Sequence, residues 1–173
     1  QVTKLFEKAG SGLDLAIYNT GNNYPGEIMD MDSEYFLKSW KSCCFGGFLF
    51  GREAVRSMVP SGKGTLLFTG ASASLRGRAN FGAFNSAKAG LRTLAQAMAK
   101  EYGPKGIHVG HVVIDGAIAG DKIMRRLPEL AKKLGEDGMI KIEGIVDGYV
   151  YLYNQLPQAW TFELDLRTSI EKW

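Results

Sequence analysis

The chain has 173 residues, of which 45% are hydrophobic and 23% charged, with a formal net charge of +3. This length holds a single domain with enough apolar material for a core, residues 1–173 forming one unit. The basic excess is small and scattered, giving no face for nucleic acid, and no apolar run approaches the ~20 residues that span a bilayer.

The first strand, Leu15–Tyr18, comes almost at once. A strand met so early, with no earlier one to pair with, predicts a missing N-terminal part. A long helix is expected over 32–58, ended by Pro60, Gly62 and Gly64. It carries Cys43 and Cys44, too close in sequence to bridge each other and with no distant partner. That usage fits a reducing cytoplasm, as does the lack of a leader with a basic start and a cleavage site. A second strand is expected over 64–68. A helix follows over 83–102, with Leu91, Leu94, Ala95 and Met98 on one face, and Gly103 and Pro104 to end it. Strand 108–114 includes His108 and His111. Neither has a Cys or carboxylate cluster at ligand spacing, so no metal site is expected. Helices over 122–133 and Ile142–Tyr153 precede a last strand over 160–165. There Trp160, Phe162, Leu164 and Leu166 alternate with polar residues, so one face is buried. Alternating strands and helices predict an α/β fold, a doubly wound parallel sheet of the Rossmann type.

The most specific motif is Phe84-Asn85-Ser86-Ala87-Lys88. It opens a helix just after a strand and a loop of small residues, Gly64-Thr65-Leu66-Leu67-Phe68-Thr69-Gly70-Ala71-Ser72. Gly103-Pro104-Lys105-Gly106-Ile107-His108-Val109 follows at the helix exit. This order and spacing resemble the short-chain dehydrogenase/reductase family from about Leu13 to the C-terminus. The family has Tyr-x-x-x-Lys where Phe84 and Lys88 stand, one helical turn apart on one face. The resemblance gives Lys88 two roles, bonding the nicotinamide ribose and lowering the tyrosine pKa. Phe84 has no hydroxyl and passes no proton.

The family's serine position falls on Ala71. Ser72 beside it either offers a shifted hydroxyl or satisfies loop backbone groups. Ser74 is close by. The family's asparagine position in the first long helix falls on Cys43, a small buried filler rather than a reactive thiol. Tyr18-Asn19-Thr20-Gly21 resembles the family's Asn-Asn-Ala-Gly segment. There Asn19 ties adjacent strands and Gly21 lets the chain pass close to a dinucleotide. An ordinary strand-to-loop turn is the alternative. Ile114-Asp115-Gly116-Ala117-Ile118 stands where the family has Pro-Gly and a nicotinamide-contacting residue. Asp115 either bonds a carboxamide or caps the next helix. The family's phosphate loop, Gly-x-x-x-Gly-x-Gly, is missing from the N-terminal part, so the chain corresponds to the C-terminal portion of the fold.

The resemblance implies an oxidoreductase that uses NAD or NADP on a small-molecule carbonyl or alcohol, with an altered site. The alternative is a non-catalytic homologue that binds a dinucleotide or serves as a structural, oligomerising subunit. Many relatives are homodimers or homotetramers. The small residues Cys43, Gly46, Gly47, Gly51, Ala83, Ala87 and Gly90 permit close helix packing, either between subunits or against the chain's own sheet.

Overall fold

The computed structural model describes residues 1–21 and 23–171. In chain order the elements are α1 Val2–Ala9, β1 Leu15–Tyr18, α2 Ser33–Trp40, α3 Gly46–Met58, β2 Gly64–Thr69 and α4 Gly82–Tyr102. Next come β3 Ile107–Asp115, β4 Ala117–Ile118, α5 Asp121–Arg126, α6 Pro128–Leu134, β5 Met139–Ile140, α7 Ile142–Tyr153 and β6 Glu163–Arg167. Four strands form a parallel sheet in the order β1-β2-β3-β6, and β4 pairs with β5 separately.

The sheet is covered on both faces, as the expected architecture requires. Leu66 and Phe68 of β2, with Ile107 and Val109 of β3, pack against Met58, Leu91, Ala95 and Met98. Their neighbours Leu67, Val112 and Ile114 face the other way, onto Ile145 and Leu152 of α7. All nine residues of β3 are buried, the mark of a strand sandwiched between helix layers. Each fully buried Leu or Phe here contributes about 1.5–3 kcal/mol. Just before β3, Gly106 has φ 80, and a β-carbon on it would stand 1.9 Å from the Gly62 carbonyl oxygen. Only glycine fits that turn.

Several elements differ from the sequence reading. Asp32 caps the first long helix by accepting from the Glu34 N–H at 3.1 Å. The helix then passes through a π-turn at Lys41–Phe45 before continuing as α3. The Tyr18 hydroxyl donates to the Ser42 carbonyl there, and a side chain inserted into the ladder produces such a bulge. The expected helix over 122–133 is two helices. Leu127 leaves helical geometry at φ −134, ψ 54, as the residue before a proline tends to do. The last strand begins at Glu163 rather than Trp160. Gln155 clamps Thr161, accepting from its N–H and donating to its hydroxyl, both at 2.8 Å. Trp160 instead stacks on His108, centroids 4.9 Å apart. Finally, α1 was not foreseen. Its Phe6 packs edge-on to Phe50 at 5.1 Å.

Among the described residues, no helix is long and apolar enough to cross a membrane.

Candidate active site

The parallel strands bring the carboxyl ends of β1, β2 and β3 to one edge, where ligands of such sheets bind. Helix α4 starts beside that edge and projects Lys88 into it. Lys88 is not a surface lysine: it is 3% exposed. Its Nζ donates to the Thr69 carbonyl at 2.7 Å and to the Thr20 carbonyl at 3.0 Å. It thus ties the end of β1 to the end of β2, the task the sequence assigned to Asn19, which is exposed. Burial pushes the Lys88 pKa down, and the nearby Cys43 thiol acts in the opposite direction. Among the described residues, no acceptor takes the third ammonium hydrogen.

Phe84 lies one turn earlier on the same face. The Lys88 Nζ is 5.8 Å from its ring centroid, within range of a cation–π contact. Gly21 completes the group: a β-carbon there would stand 3.6 Å from Nζ and 3.8 Å from Phe84 Cε2. The structure therefore gathers Lys88, Phe84 and Gly21, with an aromatic ring and no hydroxyl at position 84.

The loop after β2 tightens into a single turn over Ser72–Ser74. The Ala71 N–H donates to Ser74 Oγ at 3.1 Å. The Ser72 carbonyl accepts from the N–H groups of Leu75 at 2.9 Å and Arg76 at 3.0 Å. The hydroxyl that satisfies the loop backbone is thus that of Ser74, not Ser72. Cys43 is fully buried in the π-turn.

Asp115 corrects the sequence reading, because it caps no helix. Its carboxylate accepts from Arg76 Nη2 at 3.0 and 3.3 Å and pairs with Arg167 Nη2 at 3.3 Å. The next helix, α5, begins after Gly120 with no side-chain cap. Asp115 ends β3 on the ligand edge, so the pair with Arg76 ties the β2–α4 loop to that strand. Gly116 and Ile118 lead away from it. A β-carbon on Gly116 would stand 3.2 Å from Ile140 Cδ1, and Ile118 pairs with Ile140 across β4 and β5.

The sequence did not single out a second polar array beneath this edge. His111 of β3 is fully buried, and its Nδ1 lies 2.9 Å from Glu163 Oε2. Glu163 also accepts from Arg92 of α4 at 2.6 and 2.8 Å. The Arg92 guanidinium, more than any other cause, holds the Glu163 carboxyl below its usual range. Burial lowers the pKa of His111 against the opposing pull of Glu163. A visible signal existed: a histidine at a buried strand position needs a partner.

The small residues of the long helices pack within the chain. A β-carbon on Gly47 would stand 2.4 Å from Leu91 Cδ1, one on Gly46 2.3 Å from the Tyr18 hydroxyl, and one on Gly90 3.0 Å from Cys44 Sγ.

A family model described as short chain dehydrogenase matches residues 1–127. A crystal structure of a short-chain dehydrogenase from Rhodopseudomonas palustris is 38% identical, with a TM-score of 0.78 over 96% of this chain and 68% of that one. The (21S)-21-acetoxyl-apo-melianone synthase of Melia azedarach is 30% identical over 81% of this chain and 55% of its own length. A 7α-hydroxysteroid dehydrogenase solved with NADH and 7-oxo glycochenodeoxycholic acid shares the fold at a TM-score of 0.83 and 22% identity, covering 97% of this chain and 69% of its own. The chain spans about half the length of the curated relatives it matches.

Proposed function

The chain belongs to the short-chain dehydrogenase/reductase family, and we propose that it is an NAD(P)-dependent oxidoreductase with an altered active site, acting on a small-molecule alcohol or carbonyl. The observation that carries this reading is Lys88, buried at the ligand edge of the sheet with two of its hydrogens on carbonyls. Burying an ammonium is costly, and the cost is met only where the charge is well bonded.

These residues fit the nicotinamide end of a dinucleotide. Lys88 would bond the ribose hydroxyls with its remaining hydrogen. Gly21, beside Nζ, leaves room for that approach, and Asn19 stands exposed at the same strand end. Asp115 stays committed to Arg76 and Arg167. The dinucleotide supplies or accepts the hydride. Phe84 contributes shape and an apolar wall that keeps water from the reacting carbon. It contributes no proton, a loss that typically costs about 10²–10⁴-fold in rate. The free thiols Cys43 and Cys44 support a reducing, cytoplasmic setting.

The test is the double variant Phe84→Tyr with Ala71→Ser, assayed with NADH and NADPH against a panel of aldehydes and ketones. The reading predicts a rate at least about tenfold above the unaltered protein, since the phenol restores a positioned acid. No gain despite measured nucleotide binding would count against it.

A second reading, a non-catalytic oligomerising subunit, has one observation in its favour. Trp40, Phe45 and Phe48 form an exposed aromatic stack along α2 and α3, with centroids 6.3 and 6.0 Å apart. Aromatic faces of this kind favour protein contacts. This reading predicts a stable oligomer without turnover, in both the unaltered protein and the double variant.

A further inference from the structure

Helix α4 is fastened to the sheet at two places one helical turn, about 5.4 Å, apart. At the first, Lys88 Nζ donates to the carbonyls of Thr69, which ends β2, and Thr20, just past β1. At the second, Arg92 donates from Nε and Nη2 to the two oxygens of Glu163 in β6, at 2.6 and 2.8 Å. A two-pronged arginine–carboxylate pair fixes orientation as well as contributing energy. One anchor lets a helix pivot about it, whereas two oppose both pivoting and sliding.

The Glu163 carboxylate reaches a third element. Phe68, His111 and Glu163 stand side by side across β2, β3 and β6, and His111 Nδ1 lies 2.9 Å from Glu163 Oε2. Arg92 above all holds the Glu163 carboxyl below its usual range, so near neutrality it accepts and His111 Nδ1 carries the hydrogen. Held this way, the fully buried His111 ring lies against Gly70, where a β-carbon would stand 2.2 Å from Nε2 and 2.4 Å from Cε1. Gly70 follows Thr69, whose carbonyl receives Lys88, and its own N–H donates to the Val112 carbonyl, next to His111, at 2.7 Å. Glu163 therefore bears on both the helix that carries Lys88 and the strand end that Lys88 bonds. The Lys88 charge is in turn felt at His111, whose pKa burial lowers most, with Arg92 and Lys88 adding to that against the pull of Glu163.

We propose that Glu163 is a positioning residue for Lys88: through Arg92 it sets helix α4, through His111 it sets the end of β2, and together these fix the point from which the ammonium presents its remaining hydrogen to the nicotinamide ribose. The inference rests on the oxidoreductase reading for the ribose, while the placement of Lys88 requires no nucleotide. Glu163 acts through Lys88 and exchanges no proton with substrate.

The test follows the Lys88 ammonium by nitrogen NMR, its resonance assigned by its loss in Lys88→Met. Titrations with NADH and NADPH are run beside it at a temperature where every variant is folded. Buried, bonded hydrogens exchange slowly with water. Glu163→Gln and Arg92→Met should each quicken exchange at Lys88 and weaken nucleotide binding about tenfold. Arg92→Lys, which keeps the charge but not the fork, should fall between Arg92→Met and the unaltered protein. Arg92 is partly exposed, so its variants disturb the core least. Glu53→Gln is the control: it breaks a comparable cluster with Arg52 and Arg56 on α3 and should lower stability without moving either readout. A Lys88 signal unmoved in both Glu163→Gln and Arg92→Met, or moved equally in Glu53→Gln, would overturn the assignment. So would an unchanged nucleotide affinity in folded Arg92→Met. If the Lys88 signal moves as expected and no form of the protein binds either nucleotide, the oxidoreductase reading fails and the hold of Glu163 on Lys88 stands.

Discussion

The Lys88 ammonium donates to the Thr69 carbonyl at 2.7 Å, from a helix on one face of the sheet to the last residue of a central strand. Together with the Thr20 carbonyl, this contact joins helix α4 to two strand ends at once. Replacing Lys88 by Met takes this donor from the carbonyl of buried Thr69 and from that of exposed Thr20. Each unsatisfied group costs about 1–3 kcal/mol, partly offset by removal of a buried charge. Lys88→Met should lose about 1–3 kcal/mol in urea unfolding at neutral pH.

Lys88 also gives the protein a pH dependence in the alkaline range. Burial sets its folded pKa below the ordinary 10.5, so between those values the unfolded chain binds more protons. Stability from this group therefore rises as pH rises towards 10.5. Unfolding measured across alkaline pH should show the rise in the unaltered protein and lose it in Lys88→Met.

Acid acts through the other array. His111 has its pKa lowered from 6.5 by burial, and Glu163 has its own lowered from 4.5, chiefly by Arg92. Both groups contribute stability that is present above their unfolded values and lost as pH falls through the folded ones. Thermal melts should decline below about pH 6.5 and again in the carboxylate range. Glu163→Gln should remove the second decline, at a cost near neutrality of about 1–3 kcal/mol for the lost charged hydrogen bonds.

The Asp115 carboxylate anchors the β2–α4 loop through Arg76 and is itself 3% exposed. Asp115→Ala takes the carboxylate from Arg76, while Arg167 keeps Asp165. Breaking such a pair costs about 3–5 kcal/mol when fully buried, and Arg76 is half-exposed, so about 2–3 kcal/mol is expected here. Amide exchange should quicken first in residues 71–81, ahead of the strands.

Two glycine substitutions should move stability in opposite directions. Gly47→Ala drives a methyl to 2.4 Å from buried Leu91 Cδ1 and should cost about 1–3 kcal/mol. Gly144→Ala, on the exposed face of α7 with nothing within 4 Å, should gain about 0.5–1 kcal/mol from helix propensity. Paired urea titrations compare the two directly.

Much of this molecule was legible from local chemistry. The strand at Leu15–Tyr18 and the helix at Ile142–Tyr153 fall where apolar runs and glycine breaks put them. Phe84 and Lys88 meet on one face of α4 because residues four apart in a helix are neighbours. What escaped depends on tertiary placement. The π-turn follows from one Tyr18 hydroxyl reaching Ser42, and no pattern within the helix encodes it. Asp115 looked like a cap because its partners, Arg76 and Arg167, are distant in sequence. The Glu163–His111 contact is equally non-local, though a histidine in a core strand announces that some partner exists.

The most direct test of the central claim is titration of the protein with NADH and NADPH, followed by tryptophan fluorescence and repeated on Lys88→Met. The account predicts saturable binding of at least one nucleotide to the unaltered protein, and a large loss of affinity in Lys88→Met. Folded protein that binds neither nucleotide, or a Lys88→Met variant that binds as well as the parent, would contradict it.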